Sequence, residues 1–264
     1  MMPAEFDVTG KVVFITGAGR GIGKGIAQVL AEAGADIALN ALTPKYVTGT
    51  AADIAAASGR RVVPITADVT KAEDVRRAVE AVLGMFGRID VLVNALGDSI
   101  RRPLVALPGA EGAGADVSDD ELRFIMDVNL TEALLCTRAV GPHMLARRSG
   151  KVINIASWTA HQGGRDMVLY TTAKTALAGF TRAQALEWAP YGVQVNAISP
   201  GLFPDVVTSG EERMRQSTQR AEQTVPLRRP GRLREVGLLA LYLASAASDY
   251  MTGQTIPLDG GLGL

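Results

Sequence analysis

An α/β fold is predicted for this chain, with one doubly wound parallel sheet of about seven strands, helices on both faces and a single domain over residues 1–264. Three observations predict it. Short β-branched runs alternate with longer helical stretches from end to end, the mark of repeated βαβ units. Hydrophobic residues make up 47% of the 264 and charged residues 20%, with no low-complexity tract, so the chain can bury a sizeable core. Its length is one that α/β chains often reach as a single unit.

The elements follow in order. KVVFIT opens at Lys11 and runs into a helix ending at about Ala33. DIALN from Asp36, RVVPIT from Arg61 and DVLVN from Asp90 are the next strands, with helices between them. A helix through about residues 119–146 leads to KVINIAS, and a helix from about Tyr170 to Ala189 leads to VQVNAIS. An irregular segment, a helix near 234–244 and TIPLD complete the pattern. Thr70 with Glu73, and Ser118 with Glu121, have capping-box spacing and predict two helix starts. The Gly, Ala and Pro-rich stretch at about 98–117 predicts a mobile surface loop, with its tip at Pro108 to Ala115.

Several function classes are disfavoured. The 27 basic residues balance 27 acidic ones without a polybasic run, so neither nucleic acid nor an anionic membrane is an expected partner. No apolar run approaches the roughly 20 residues of a membrane helix, and MMPAEFDVTGK lacks a signal segment, so a cytoplasmic protein is expected. The lone Cys136 reads as a buried helix residue. His143, near a helix end, and His161 lack the partners of a zinc site, and no metal is expected.

The first strand ends in Thr16-Gly17-Ala18-Gly19-Arg20-Gly21-Ile22-Gly23 and passes directly into a helix. Glycines there let the backbone approach a pyrophosphate, whose charge the helix N-terminus stabilises. A Rossmann-type dinucleotide site is the expectation.

The spacing T-G-x-x-x-G-x-G resembles that of the short-chain dehydrogenase/reductase family, within it the 3-oxoacyl-(acyl-carrier-protein) reductase-like set. Further segments match in order from about Gly10 to Gly261: Asp68-Val69, Asn94-Ala95-Leu96-Gly97, Asn129 in DVNL, Ser157, Tyr170-x-x-x-Lys174, Asn196 with Pro200-Gly201, and TGQTIPLDGG. The resemblance implies a NAD(P)(H)-dependent oxidoreductase acting on a ketone or secondary alcohol. It also implies that Asp68 and Val69 contact the adenine, and that Asn94, Ala95, Gly97, Pro200, Gly201 and Phe203 border the cofactor. Family members are commonly tetramers, so a homo-oligomer is expected, with the helices at about 119–146 and 170–189 packed across one interface.

No acid stands at the carboxyl end of the second strand, where Asn40, Ala41 and Leu42 are. Without a carboxylate to repel a 2′-phosphate, and with Arg20 nearby to pair with it, NADP(H) is favoured over NAD(H). The alternative has Asn40 or Thr43 serving a plain ribose hydroxyl.

Tyr170 and Lys174 are four apart on a helix, so they share a face. A phenol of pKa about 10 exchanges protons poorly at neutral pH, and Lys174 is expected to lower it. Ser157, at a strand's carboxyl end 13 residues before Tyr170, can hydrogen-bond the substrate oxygen. By resemblance, Asn129 holds a water that links Lys174 to solvent. Trp158, His161 and Gln162 are candidates for the pocket wall.

Asp205 departs from the family, since a carboxylate near a pyrophosphate is repulsive unless it points away or pairs with a cation. Thr208 is the candidate to take over a cofactor contact. The segment at about 202–228 predicts a lid over the substrate. Docking an acidic carrier protein calls for exposed basic residues, for which Arg147 and Arg148 are the candidates. A small alcohol, a sugar or polyol, a steroid-like ring and a polyketide ketone remain alternatives, as do a NAD-dependent polyol dehydrogenase and a non-catalytic dinucleotide sensor.

Overall fold

The structure is a computed structural model that describes residues 3–109, 112 and 114–264, with the side chains of residues 206–209 and 213 outside that description. Part of the predicted loop tip, namely Ala110, Glu111 and Ala113, therefore lies outside the described residues, as does the side chain of Thr208.

Among the described residues, seven strands form one parallel sheet in the order β3-β2-β1-β4-β5-β6-β7. They are β1 (Val12–Ile15), β2 (Asp36–Ala41), β3 (Val62–Thr66), β4 (Val91–Asn94), β5 (Gly150–Ile155), β6 (Val193–Pro200) and β7 (Thr255–Leu258). The helices are α1 (Gly21–Glu32), α2 (Pro44–Ser58), α3 (Ala72–Phe86), α4 (Asp119–Met126), α5 (Glu132–Arg147), α6 (Thr159–Gln162), α7 (Val168–Trp188), α8 (Val206–Thr224) and α9 (Leu233–Ala244).

Both faces of the sheet are buried because its strands are apolar at consecutive positions. Along β1, Val13 and Ile15 enter one core with Ile26, Leu30 and Leu39, while Val12 and Phe14 enter the other with Val79 and Val152. Each such side chain contributes roughly 1.5–3 kcal/mol through burial. Strand order reverses between β1 and β4, opening a crevice at their carboxyl ends, where ligands bind in this architecture.

One local expectation is refined and another corrected. The helix expected over about 119–146 is present as α4 and α5, joined without interruption through a π-helical turn at Asp127–Thr131. The wider turn swings Asn129 inward, and such turns recur at functional sites. Thr70 does not cap a helix: its hydroxyl donates to Asp68 Oδ1 at 2.6 Å, and α3 begins after Lys71 without a side-chain cap. The nearby carboxylate is a stronger acceptor than the hydroxyl is a cap. Ser118 and Glu121, by contrast, form the expected reciprocal box at α4. The rim stretch before α4 is tied down by Arg102, which pairs with Glu121 and donates to Asp116 O at 3.3 Å.

Candidate active site

The glycine loop lies at the switch point. Gly17, at φ +60°, presses so close to the turn after β4 that an added Cβ would lie 2.8 Å from Leu96 Cα. Thr16 Oγ1 locks that contact by accepting from Ala95 N at 2.9 Å and Leu96 N at 3.3 Å. Gly21, at φ +59°, faces open space in front of α1. Arg20 is exposed beside it, Ile22 packs against the core, and Gly23 sits directly on Ala18. Glycines that let the backbone approach closely and a helix N-terminus fit this cradle to a pyrophosphate.

One side chain already uses that field. Asp205 Oδ2 accepts from Gly21 N at 3.0 Å, so the carboxylate sits where an anion is stabilised rather than pointing away.

At the adenosine end, the Asn40 side chain is buried and donates to Ile65 O at 3.2 Å and Ala67 O at 3.1 Å. Its amide braces β2 against β3. Asp68 holds Thr70, and Val69 is core. Sequence reasoning missed Tyr46 and Lys45. The Arg20 guanidinium and Lys45 ammonium lie 5.1 Å and 5.0 Å from the centroid of the Tyr46 ring, which gathers two cations beside the end of β2.

The Asn94 amide also turns inward, donating to Asn154 Oδ1 at 2.8 Å and Thr137 Oγ1 at 3.2 Å. Gly97 matters more to the site. A Cβ there would lie 2.8 Å from Asn129 Oδ1 and 3.3 Å from Lys174 Nζ, so only glycine lets this turn cover the pair.

Ser157, Tyr170, Lys174 and Asn129 come together around the carboxyl end of β5. Ser157 Oγ accepts from Thr159 N at 3.2 Å and Thr159 Oγ1 at 3.1 Å, which leaves its own hydrogen to donate outward. The Lys174 ammonium is buried, donates to Ile155 O at 2.8 Å and lies 5.9 Å from the Tyr170 ring centroid. Asn129 Nδ2 donates to Asp98 O at 2.8 Å and Ile125 O at 2.9 Å, while its Oδ1 is buried without a partner.

The expected lowering of the Tyr170 pKa is not found. Burial raises it, Ser157 pulls it partway back, and the charge of Asp98 raises it again. Burial also holds Lys174 itself down to about 8, against the opposing charge of Glu132, which weakens the field it was expected to supply. Glu132, missed from sequence, is a fully buried carboxyl whose pKa burial pushes up to about 8 and Lys174 pulls back.

The pocket rim is less concentrated. Trp158 lies at the end of β5, and His161 is exposed on the short α6. Gln162 Nε2 donates to Leu262 O at 2.9 Å, bringing the C-terminal turn to the rim. Trp158 N donates to Pro200 O at 3.1 Å, while Gly201 lies against Asp259. Phe203 packs on Gly231 and anchors the chain entering α8. Neither arginine proposed for carrier docking is free: Arg147 pairs with Asp90 at 3.2 Å, and Arg148 donates to Pro190 O at 2.6 Å. Among the described residues, no cluster of His, Cys, Asp and Glu could hold a metal ion, and no helix is long and apolar enough to cross a membrane.

A family model described as enoyl-(acyl carrier protein) reductase matches residues 17–263. The chain is 37% identical over 259 residues to 2-dehydro-3-deoxy-D-gluconate 5-dehydrogenase of Bacillus subtilis, covering 97% of this chain and 96% of that one. Over 256 residues it is 35% identical to the 3-oxoacyl-(acyl-carrier-protein) reductase of Synechocystis, covering 97% and 98% of the two chains. A solved gluconate 5-dehydrogenase from Burkholderia cenocepacia J2315, in complex with NADP and tartrate, superposes with a TM-score of 0.87 at 33% identity, covering 98% and 97%.

Proposed function

Since the chain belongs to the short-chain dehydrogenase/reductase family and is an NAD(P)-dependent oxidoreductase acting between C=O and CH–OH, we propose that it reduces a small polar ketone with NADPH. The observation that carries this reading is the convergence of Ser157, Tyr170, Lys174 and Asn129 at the carboxyl end of β5, facing the glycine loop.

A bound nicotinamide supplies the hydride in reduction and accepts it in oxidation. Ser157 Oγ–H holds the substrate oxygen and steadies the charge that develops on it. Tyr170 delivers the proton to that oxygen. The phenol holds its proton at neutral pH, as a general acid for reduction must, while burial pushes its pKa further from that pH. Lys174 places positive charge beside the phenolate left behind, and the inward Asn129 offers an acceptor on the route by which the proton is replaced.

Preference for NADPH is supported by Arg20 and Lys45 around Tyr46, with no acid at the end of β2. A sugar-acid ketone is the favoured substrate class, supported by the gluconate-type relatives and by the engagement within the chain of Arg147 and Arg148, the two candidates for carrier docking. Residues 1–264 act as one dinucleotide-binding and catalytic domain, with α8, broken at Gly210, as a lid. Exposed Leu122, Phe124 and Leu186 support a homo-oligomer, proposed as a cytoplasmic tetramer and checked by sizing.

The test is a panel of 5-keto-D-gluconate, simple ketones and a 3-oxoacyl thioester, each with NADPH and NADH. Turnover of the keto acid with a higher kcat/KM for NADPH is expected; thioester preference overturns the substrate class, and equal use of NADH the cofactor preference. No turnover of any carbonyl or its alcohol would leave the sensor reading.

A further inference from the structure

Two carboxylates are buried among the described residues, and they are treated differently. Asp90 accepts from Val12 N at 2.9 Å and pairs with Arg88 and Arg147. Glu132, only 1% exposed, has no ion-pair partner of that kind, and its Oε2 makes no hydrogen bond. A buried carboxyl left this way is costly and calls for an explanation.

Its surroundings supply one. Glu132 is the first residue of α5, immediately after the π-turn that carries Asn129. Lys174 of α7 and the Thr16 hydroxyl at the end of β1 both favour its charged form. Lys174 Nζ has three hydrogens and places one on Ile155 O. Two buried acceptors without partners neighbour this ammonium: Asn129 Oδ1, which lies with Lys174 Nζ against Gly97, and Glu132 Oε2, whose carboxyl charge acts on Lys174 without an ion pair at contact distance. The remaining titratable neighbours are Cys136 on α5, whose thiol burial and Glu132 push well above its usual range, and Tyr170 with Asp98 on the far side of Lys174.

We propose that Glu132 is a positioning residue for Lys174: a buried carboxyl whose charge acts on the ammonium without a direct hydrogen bond and keeps Lys174 charged as the pH rises. This rests on Tyr170 and Lys174 being the working pair. When alkaline solvent takes one proton from the cluster, it leaves the Glu132 carboxyl, and the resulting carboxylate faces an ammonium that stays protonated. With the carboxyl removed, Lys174 itself must give up that proton, because burial drives it to the neutral form.

The test titrates the chain labelled with 13C at the glutamate carboxyls, for the wild type, Glu132→Gln and Lys174→Met. One carboxyl titrating above pH 7 is expected in the wild type. It should be absent in Glu132→Gln and titrate still higher in Lys174→Met, where the ammonium no longer favours the anion. The proposal is overturned if no wild-type glutamate titrates above pH 7, or if Lys174→Met leaves that titration unmoved. The first criterion needs no variant, so misfolding cannot hide the answer. In a kinetic arm, using whichever carbonyl of the panel is turned over, the ratio of Glu132→Gln to wild-type kcat should fall about tenfold per unit by which the Lys174 midpoint drops. Glu132→Asp should restore part of the alkaline limb. A pH-independent ratio overturns the inference while leaving the oxidoreductase reading standing; absence of turnover in the wild type fails that reading while the titration still decides this one.

Discussion

Two lysines are buried at opposite ends of β5, and they are partnered differently. Lys151, at the amino end and 7% exposed, donates to Ser248 Oγ at 3.2 Å and Asp249 Oδ1 at 2.7 Å. Lys174, 3% exposed, reaches the last carbonyl of β5, that of Ile155, and faces acceptors that make no bond to it. Burial pulls both pKa values down, but for Lys151 the carboxylate of Asp249 pulls back at contact distance. A buried ammonium held by a hydroxyl and a carboxylate braces the sheet. One with hydrogens to spare, at the end of the sheet where ligands bind, is placed for chemistry.

Exchange of each lysine for methionine gives the sharpest separation. Lys174→Met should lower kcat by about 10²-fold or more, measured by NADPH oxidation with the best ketone, and leave Tm little changed. Lys151→Met should leave kcat unchanged while shifting Tm. Equal kinetic losses at both positions would break the contrast.

The cofactor rim offers a second, smaller effect. Arg20→Ala should weaken NADPH binding about tenfold relative to NADH, as expected for loss of one charge-assisted contact. A fluorescence titration with both cofactors measures it. The loss should deepen in Arg20→Ala/Lys45→Ala, and an unchanged preference would assign both cations to Tyr46 alone.

A third effect has the opposite sign. Asp205 accepts from Gly21 N, so its charge competes with a pyrophosphate for the start of α1. Asp205→Asn should tighten NADPH binding about fivefold. Weaker binding would mean that Asp205 supports the cofactor instead.

The smallest effect is on the pH dependence of stability. Glu132 goes from an ordinary 4.5 to about 8 on folding, so the native state binds the extra proton between those values. The resulting stability is present below 4.5 and lost as pH rises toward 8. The Tm of Glu132→Gln, measured against wild type, should therefore rise between pH 5 and 7. A flat difference would place Glu132 in an ordinary carboxylate state.

These cases separate what the amino-acid order reveals from what it conceals. The strands were legible because parallel strands buried on both faces are continuous β-branched runs, as in KVVFIT and KVINIAS. The glycine loop was legible because few other residues permit so close a backbone approach. Tyr170 and Lys174 were legible because four residues make one helix face. The π-turn was not, since a single widened turn has no composition of its own. Glu132 looks like any helical glutamate until tertiary packing buries it. The Asp205 contact with Gly21 joins residues 184 apart through an irregular segment. The Tyr170 pKa was misjudged because its largest cause, burial, is not a property of spacing.

The most direct test of the central claim, that Tyr170 is the proton donor of a hydride-transferring site, is NADPH oxidation by wild type and Tyr170→Phe, with NADPH affinity measured in the same preparations. Retained affinity with kcat lowered by at least about 10²-fold is predicted. Near-normal turnover by Tyr170→Phe would contradict it.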